Sequence, residues 1–189
     1  MICLSGVSFA EISSPSAREG LRMGGSGGVE EAVRAALDAL GARYHVLPCD
    51  PALADTAAFC AHYGIPPAVS ANTILVASRK EPKRYAACLA LATTKLDINH
   101  KVSELLGIKK LSFASGEETV DLTGMMIGGV TPFGLPPDLP IYVDDRIVRL
   151  ETVVVGGGSR SCKLKIAPEV FTRMPGVQVV EGLAVDRQG

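Results

Sequence analysis

The chain has 189 residues, 47% of them hydrophobic, 21% charged and 5% aromatic, which is enough apolar material for one sizeable core and excludes collagen, a coiled coil or a wholly disordered chain. Its 19 Lys and Arg stand against 20 Asp and Glu, a formal net charge of -1, which excludes long-range attraction to a polyanion and leaves only a local basic patch for nucleic acid. Mean hydropathy is +0.26, yet no apolar run approaches the roughly 20 residues that span a bilayer.

Residues 1 to about 27 run into RMGGSGG, residues 22–28, and such a glycine run loses too much backbone entropy to form an element by itself. They are expected to be a flexible leader, with folding starting near Val29 and one domain over 28–186. MICLSGVSFAEISSPSAREG lacks the basic-then-apolar order of a secretory signal. The five cysteines, Cys3, Cys49, Cys60, Cys88 and Cys162, are odd in number and widely spaced, so they read as reduced, mostly buried thiols of a cytoplasmic protein.

VEEAVRAALDAL places Val29, Val33, Ala36, Leu37 and Leu40 on one side of a helix, with Glu30 and Glu31 in its first turn and Gly41 as its stop. ARYHVLP follows as a strand. DPALADTAAFCAHYG reads as a helix with Asp50 as N-cap, Pro51 at the first position and Gly64 as terminator. NTILVAS and YAACLALAT, joined by RKEPKR, have the pattern of a hairpin with largely buried strands. LDINHKVSELLG predicts a capped helix with Leu96, Ile98, Val102, Leu105 and Leu106 inward, and KKLSF a short strand. Ser115 and Glu118 in SGEETVDLTG form a capping-box pattern. IYVDD, ETVVVGG and KLKIA are strand candidates, APEVFTRM a helix with Pro168 near its start, and VQVVEG a last strand. Helices and strands alternate without a strict unit, which favours a single α+β domain, a mixed β-sheet with packed helices.

His45, His62 and His100 have no second His or Cys at a ligand spacing, so no metal or other cofactor is expected. Glycine density is more informative. In TGMMIGGVTPFG, Gly128 and Gly129 permit a close approach of backbone to ligand and expose amide donors suited to an oxyanion; a tight crossing inside the sheet would use the same glycines. VVVGGGSRSCK, with Gly156, Gly157 and Gly158 before Ser159, Arg160, Ser161 and Lys163, is either a cradle for phosphate or a flexible hairpin with solvated charges.

The order NTILVAS, ALATTKLDINHKVSELLG, EETVDLTGMMIGGVTPFG, LPIYVDDRIVRLETVVVGGG and KLKIAPEVF, over about residues 29 to 182, resembles the YbaK and prolyl-tRNA-synthetase-associated editing domain family. The resemblance implies a single α+β domain that hydrolyses the ester of a mischarged tRNA. The implied partners are the acceptor end of that tRNA and, as a second candidate, an aminoacyl-tRNA synthetase, with no membrane and no DNA. It implies that Gly128 and Gly129 offer catalytic backbone amides, and that Thr73, Thr131, Pro132, Asp144, Gly156 and Gly157 contact substrate. Gly129→Ala is accordingly expected to harm function more than stability. One position departs: a lysine associated with activity commonly precedes the threonine of the first strand, where this chain has Asn72. Asparagine can orient water or ribose but supplies no ammonium charge. An editing hydrolase using Asn72 and a binding module that has kept the pocket without turnover are both consistent with the residues.

Overall fold

The computed structural model describes residues 26–187, so Cys3 and almost all of the expected leader, residues 1–27, lie outside the described residues. Helix α1, Ser26–Ala39, starts three residues before Val29, and Glu30 and Glu31 therefore fall beyond its first turn. Its inward face is the expected one: Val33 and Leu37 are buried, with Val29, Ala36 and Leu40 packed beside them, as helical periodicity requires. Asp50 does cap, accepting from the Ala52 N–H, but what it caps is a 3₁₀ turn, Pro51–Leu53. The chain extends again at Asp55 (ψ 136°) and restarts as helix α2, Thr56–Tyr63, which ends at Gly64.

Strands β2, Ala71–Ser78, and β3, Tyr85–Leu91, form the expected antiparallel hairpin. With β5, Leu111–Phe113, β6, Ile141–Asp144, and β9, Val177–Val180, they make a mixed five-stranded sheet of order β5-β2-β3-β6-β9, in which β3, β6 and β9 run parallel. Both faces of this sheet are covered, which explains why YAACLAL is apolar throughout rather than alternating. Ala87, Leu89 and Leu91 face the main core with Leu37, Phe133 and Phe171, whereas Ala86 and Cys88 face a second cluster with Val102, Leu106 and Leu183. Burial pushes the Cys88 thiol up to about 12, and the four cysteines among the described residues are free and buried.

A second, antiparallel sheet joins β1, Tyr44–Pro48, β7, Val153–Gly156, and β8, Cys162–Ile166, in the order β1-β8-β7, and a bridge from Ser70 to Val154 ties it to the start of β2. Two three-residue strands absent from the sequence reading, β4, Thr94–Leu96, and β10, Ala184–Asp186, pair with each other. LDINHKVSELLG is a π-helical turn, Ile98–Val102, running into a short α3, Ser103–Leu106, and APEVFTRM forms only a 3₁₀ turn, Pro168–Thr172. No helix among the described residues is long and apolar enough to cross a membrane.

Helix α4, Gly116–Thr123, carries the complete capping box, with the Ser115 hydroxyl accepting from the Glu118 N–H at 3.0 Å and the Glu118 carboxylate accepting from the Ser115 N–H at 2.8 Å. That bond and the neighbouring Lys83 ammonium hold the Glu118 carboxyl below its ordinary range. Ser115→Ala should lower unfolding free energy by about 1 kcal/mol; a urea titration with an unshifted midpoint would contradict it. The fifth helix, α5, Asp145–Val148, follows β6 directly.

Candidate functional site

A cavity of about 290 Å³ opens where the two sheets meet. Its walls come from the start of α2 (Asp55, Thr56, Phe59), from β2 (Asn72, Thr73, Leu75), from the loop at Gly128 and Val130, and from β7 and β8 (Val155, Gly156, Lys163). Asn72 accepts a hydrogen bond from the Thr56 hydroxyl through Oδ1 at 2.5 Å, so its carbonyl side is fixed and its NH₂ group is left for a ligand. The Thr73 hydroxyl is buried with no hydrogen-bond partner among the described residues, an unpaired polar group that a ligand in the cavity would satisfy. Gly128, at φ 93°, turns the chain so that its carbonyl is held by Lys163. An adjoining cavity of about 460 Å³ shares Thr56 and Asn72 and reaches Arg187.

Asn72, Thr73, Gly128 and Gly156 thus converge on one cavity, and the other sequence candidates do not line it. The Gly129 N–H donates to Met126 O at 2.9 Å, closing a turn, so it is not free for an oxyanion. A Cβ on Gly129 would stand 2.8 Å from Ser159 Cα, and one on Gly156 would overlap Val130 O and Gly129 O. The tight crossing therefore accounts for Gly129. Gly157 packs on Cys162, while Thr131 and Pro132 are buried and do not line the cavity, the Thr131 hydroxyl without a partner among the described residues. Asp144 is fully buried, and its carboxylate holds Arg146 through Oδ1 and Oδ2 at 2.8 and 3.0 Å and the Ala184 N–H at 3.0 Å. That is a framework ion pair away from the cavity.

The run GGGSRSCK is neither an open phosphate cradle nor a loose hairpin. Ser159 donates to Glu30 at 2.5 Å. Arg160 donates to Pro51 O at 3.0 Å and Ile127 O at 2.9 Å and lies 3.5 Å from Asp55. Lys163, 6% exposed, donates to Ala54 O at 2.7 Å and Gly128 O at 2.6 Å, and its Nζ lies 5.5 Å from the centre of the Phe59 ring. Two cations of the β7–β8 hairpin therefore clamp the loops 51–55 and 127–128 through four carbonyl oxygens. Desolvation lowers the Lys163 ammonium below an ordinary lysine. Lys163, expected either in a cradle for phosphate or as a solvated charge of a hairpin, is instead a buried residue of the cavity wall.

Residues 50–174 match the family model described as the aminoacyl-tRNA editing domain. YwhH of Bacillus subtilis is 34% identical over 91 residues, 48% of this chain and 57% of that protein. The Enterococcus faecalis protein named "Putative Cys-tRNA(Pro)/Cys-tRNA(Cys) deacylase EbsC" is 28% identical over 85 residues, 40% of this chain and 52% of that one. The chain thus aligns with little more than half the length of these curated relatives. The crystal structure of hypothetical protein APE2540 superposes with a TM-score of 0.72 at 26% identity, covering 82% of this chain and 99% of that one.

Proposed function

The chain belongs to the aminoacyl-tRNA editing domain family, and from that premise we propose that it is a trans-editing deacylase that hydrolyses the ester between a wrong amino acid and the 3′ end of its tRNA. The observation that carries this reading is the convergence of Asn72, the unpaired Thr73 hydroxyl and Gly128 on one small cavity with largely apolar walls. An aminoacyl ester is already activated, so a fixed water and a donor for the carbonyl oxygen are sufficient chemistry without a covalent nucleophile. In this reading the amino-acid side chain lies among Leu75, Val130 and Val155. The Asn72 NH₂ and the Thr73 hydroxyl orient water and the ester, and the terminal nucleoside extends past Thr56 and Asn72 toward Arg187. The resemblance to a protein named for deacylation of Cys-tRNA(Pro) and Cys-tRNA(Cys) supports a small aminoacyl group on a tRNA for proline or cysteine.

The test is a deacylation panel with tRNAs carrying alanine, serine, cysteine or proline, each against its spontaneous hydrolysis. Turnover of at least one mischarged tRNA is expected. Rates equal to the spontaneous ones on all four, with uncharged tRNA still bound, would replace this reading with a binding module. Asn72→Ala should slow the wild-type reaction by roughly 3- to 10-fold, the loss of one neutral hydrogen bond worth about 0.5–1.5 kcal/mol, without unfolding the domain. An unchanged rate removes Asn72 from the mechanism.

A further inference from the structure

Among the side chains lining the 290 Å³ cavity, Asp55 and Lys163 alone are ionisable, and only Lys163 is buried, with Asp55 at 69% side-chain exposure. The Lys163 partners are two neutral carbonyls and the face of Phe59, and no carboxylate among the described residues lies within ion-pair distance of it. A buried ammonium with no counter-charge is costly, and carbonyl dipoles offset only part of that cost. Its third N–H is not used by Ala54 or Gly128. An apolar residue could have filled the same volume, so the charge calls for an anion that arrives in the cavity.

We propose that Lys163 is the oxyanion partner of this site, its remaining N–H and its charge stabilising the negative oxygen that forms when water adds to the aminoacyl ester. This rests on the deacylase reading and deepens it. In the step, the water oxygen bonds to the carbonyl carbon while the carbonyl π pair moves to the oxygen that faces Nζ. That pair then returns as the bond to the ribose oxygen breaks, and the proton lost by water ends on the ribose oxygen, giving free amino acid and tRNA. Lys163 keeps its proton throughout. It also explains the clamp on Gly128: the same ammonium sets the loop against which the ester lies.

The probes are two analogues of 3′-alanyl adenosine, one with a phosphonate and one with a neutral amide in place of the ester, both carrying the same amine. Wild-type protein should prefer the phosphonate on the order of 100-fold, since the anion resembles the addition intermediate. Desolvation lowers the Lys163 ammonium, so the preference should be full below that depressed value and disappear as pH rises through it, earlier than an ordinary lysine would allow. The charged and titratable groups facing it are Cys49 beyond β1, Cys162 on its own strand, Arg160 in the hairpin turn and Asp55 before α2; burial pushes both thiols upward, so they stay neutral over the lower part of that range. Lys163→Met should abolish the preference and its pH dependence, and lower kcat about 100- to 1,000-fold, with the amide analogue still bound. Because Lys163→Met also loosens the clamp, the wild-type comparison stands by itself. Equal binding of both analogues by a wild-type protein that does deacylate tRNA overturns the role of Lys163 alone. Failure to bind either, together with no turnover, overturns the deacylase reading as well.

Discussion

Gly156→Ala is expected to unfold much of the protein at temperatures where the wild type is intact. The added carbon would stand less than 3.0 Å from Val130 O, Gly129 O and Gly129 C, all backbone atoms that cannot rotate away. The loop after α4 here crosses β7 with no space for a side chain, and the crossing is pinned by the Gly158 N–H donating to Gly129 O at 2.8 Å. Relief requires a shift of β7, which is paired with β8 through Val153↔Ile166 and Gly156↔Lys163 and contributes Val153 and Val155 to the main core. A cost of about 3 kcal/mol, the upper part of the range for overpacking, is the minimum expected, and Gly129→Ala should behave alike because it drives the same crossing apart from the other side. Gly116→Ala is the control. There the new carbon meets Ile127 Cδ1 at 3.6 Å, ordinary contact at a helix start, and stability should hold. Thermal unfolding of the three variants decides the matter: a Gly156→Ala protein with the wild-type Tm and slower deacylation would return this glycine to a role in substrate binding alone. The expectation that Gly129→Ala harms function more than stability is thereby reversed, because its amide is already bound to Met126 O.

What could be read from the chain was what local chemistry decides. The Ser115 and Glu118 capping box, the inward face of α1 and the β2–β3 hairpin each follow from residues a few positions apart, and all three are present. Expectations failed where two weak local signals competed. Asp50 and Pro51 begin a helix as persuasively as Asp55 and Thr56 do, and the chain uses the first pair for a 3₁₀ turn and the second for α2. β4 and β10 are three residues each, too short to display alternation, and exist because they pair with one another. Lys163 shows the limit best. Lys163 and Lys165 stand two apart on β8, on one side of the strand, and nothing local distinguishes them. One is covered by the loops 51–55 and 127–128 and buried; the other is exposed. Only the tertiary placement of two distant loops makes the first a lining residue, paired in register with Gly156, which lines the same cavity.

Asp144→Ala is expected to destabilise the domain by about 3 kcal/mol, the lower end for breaking a buried ion pair by removing one partner, while leaving kcat of the folded protein unchanged. Asp144 is fully buried and ends β6. Its Oδ1 accepts from the Arg146 N–H at 3.1 Å, starting α5, and from Arg146 Nε at 2.8 Å. Its Oδ2 accepts from Arg146 Nη2 at 3.0 Å and from the Ala184 N–H at 3.0 Å. Arg146 in turn donates to Ala184 O at 2.6 Å and to Asp186 at 2.8 Å, so one carboxylate and one guanidinium fasten β10 to the corner between β6 and α5. Without the carboxylate the Ala184 N–H loses its acceptor in a buried setting and the guanidinium loses its fork. At 31% side-chain exposure Arg146 can still reach water, which keeps the cost near the lower limit. Asp144→Asn retains an oxygen for the cap yet puts an NH₂ group against either the guanidinium or the Ala184 N–H, both donors, so it should recover only part of the loss. Urea unfolding and deacylation kinetics on both variants separate the two roles. A folded Asp144→Ala protein of wild-type stability with a raised KM would make Asp144 a substrate contact; lost stability with intact kinetics makes it the latch that closes the domain behind the cavity.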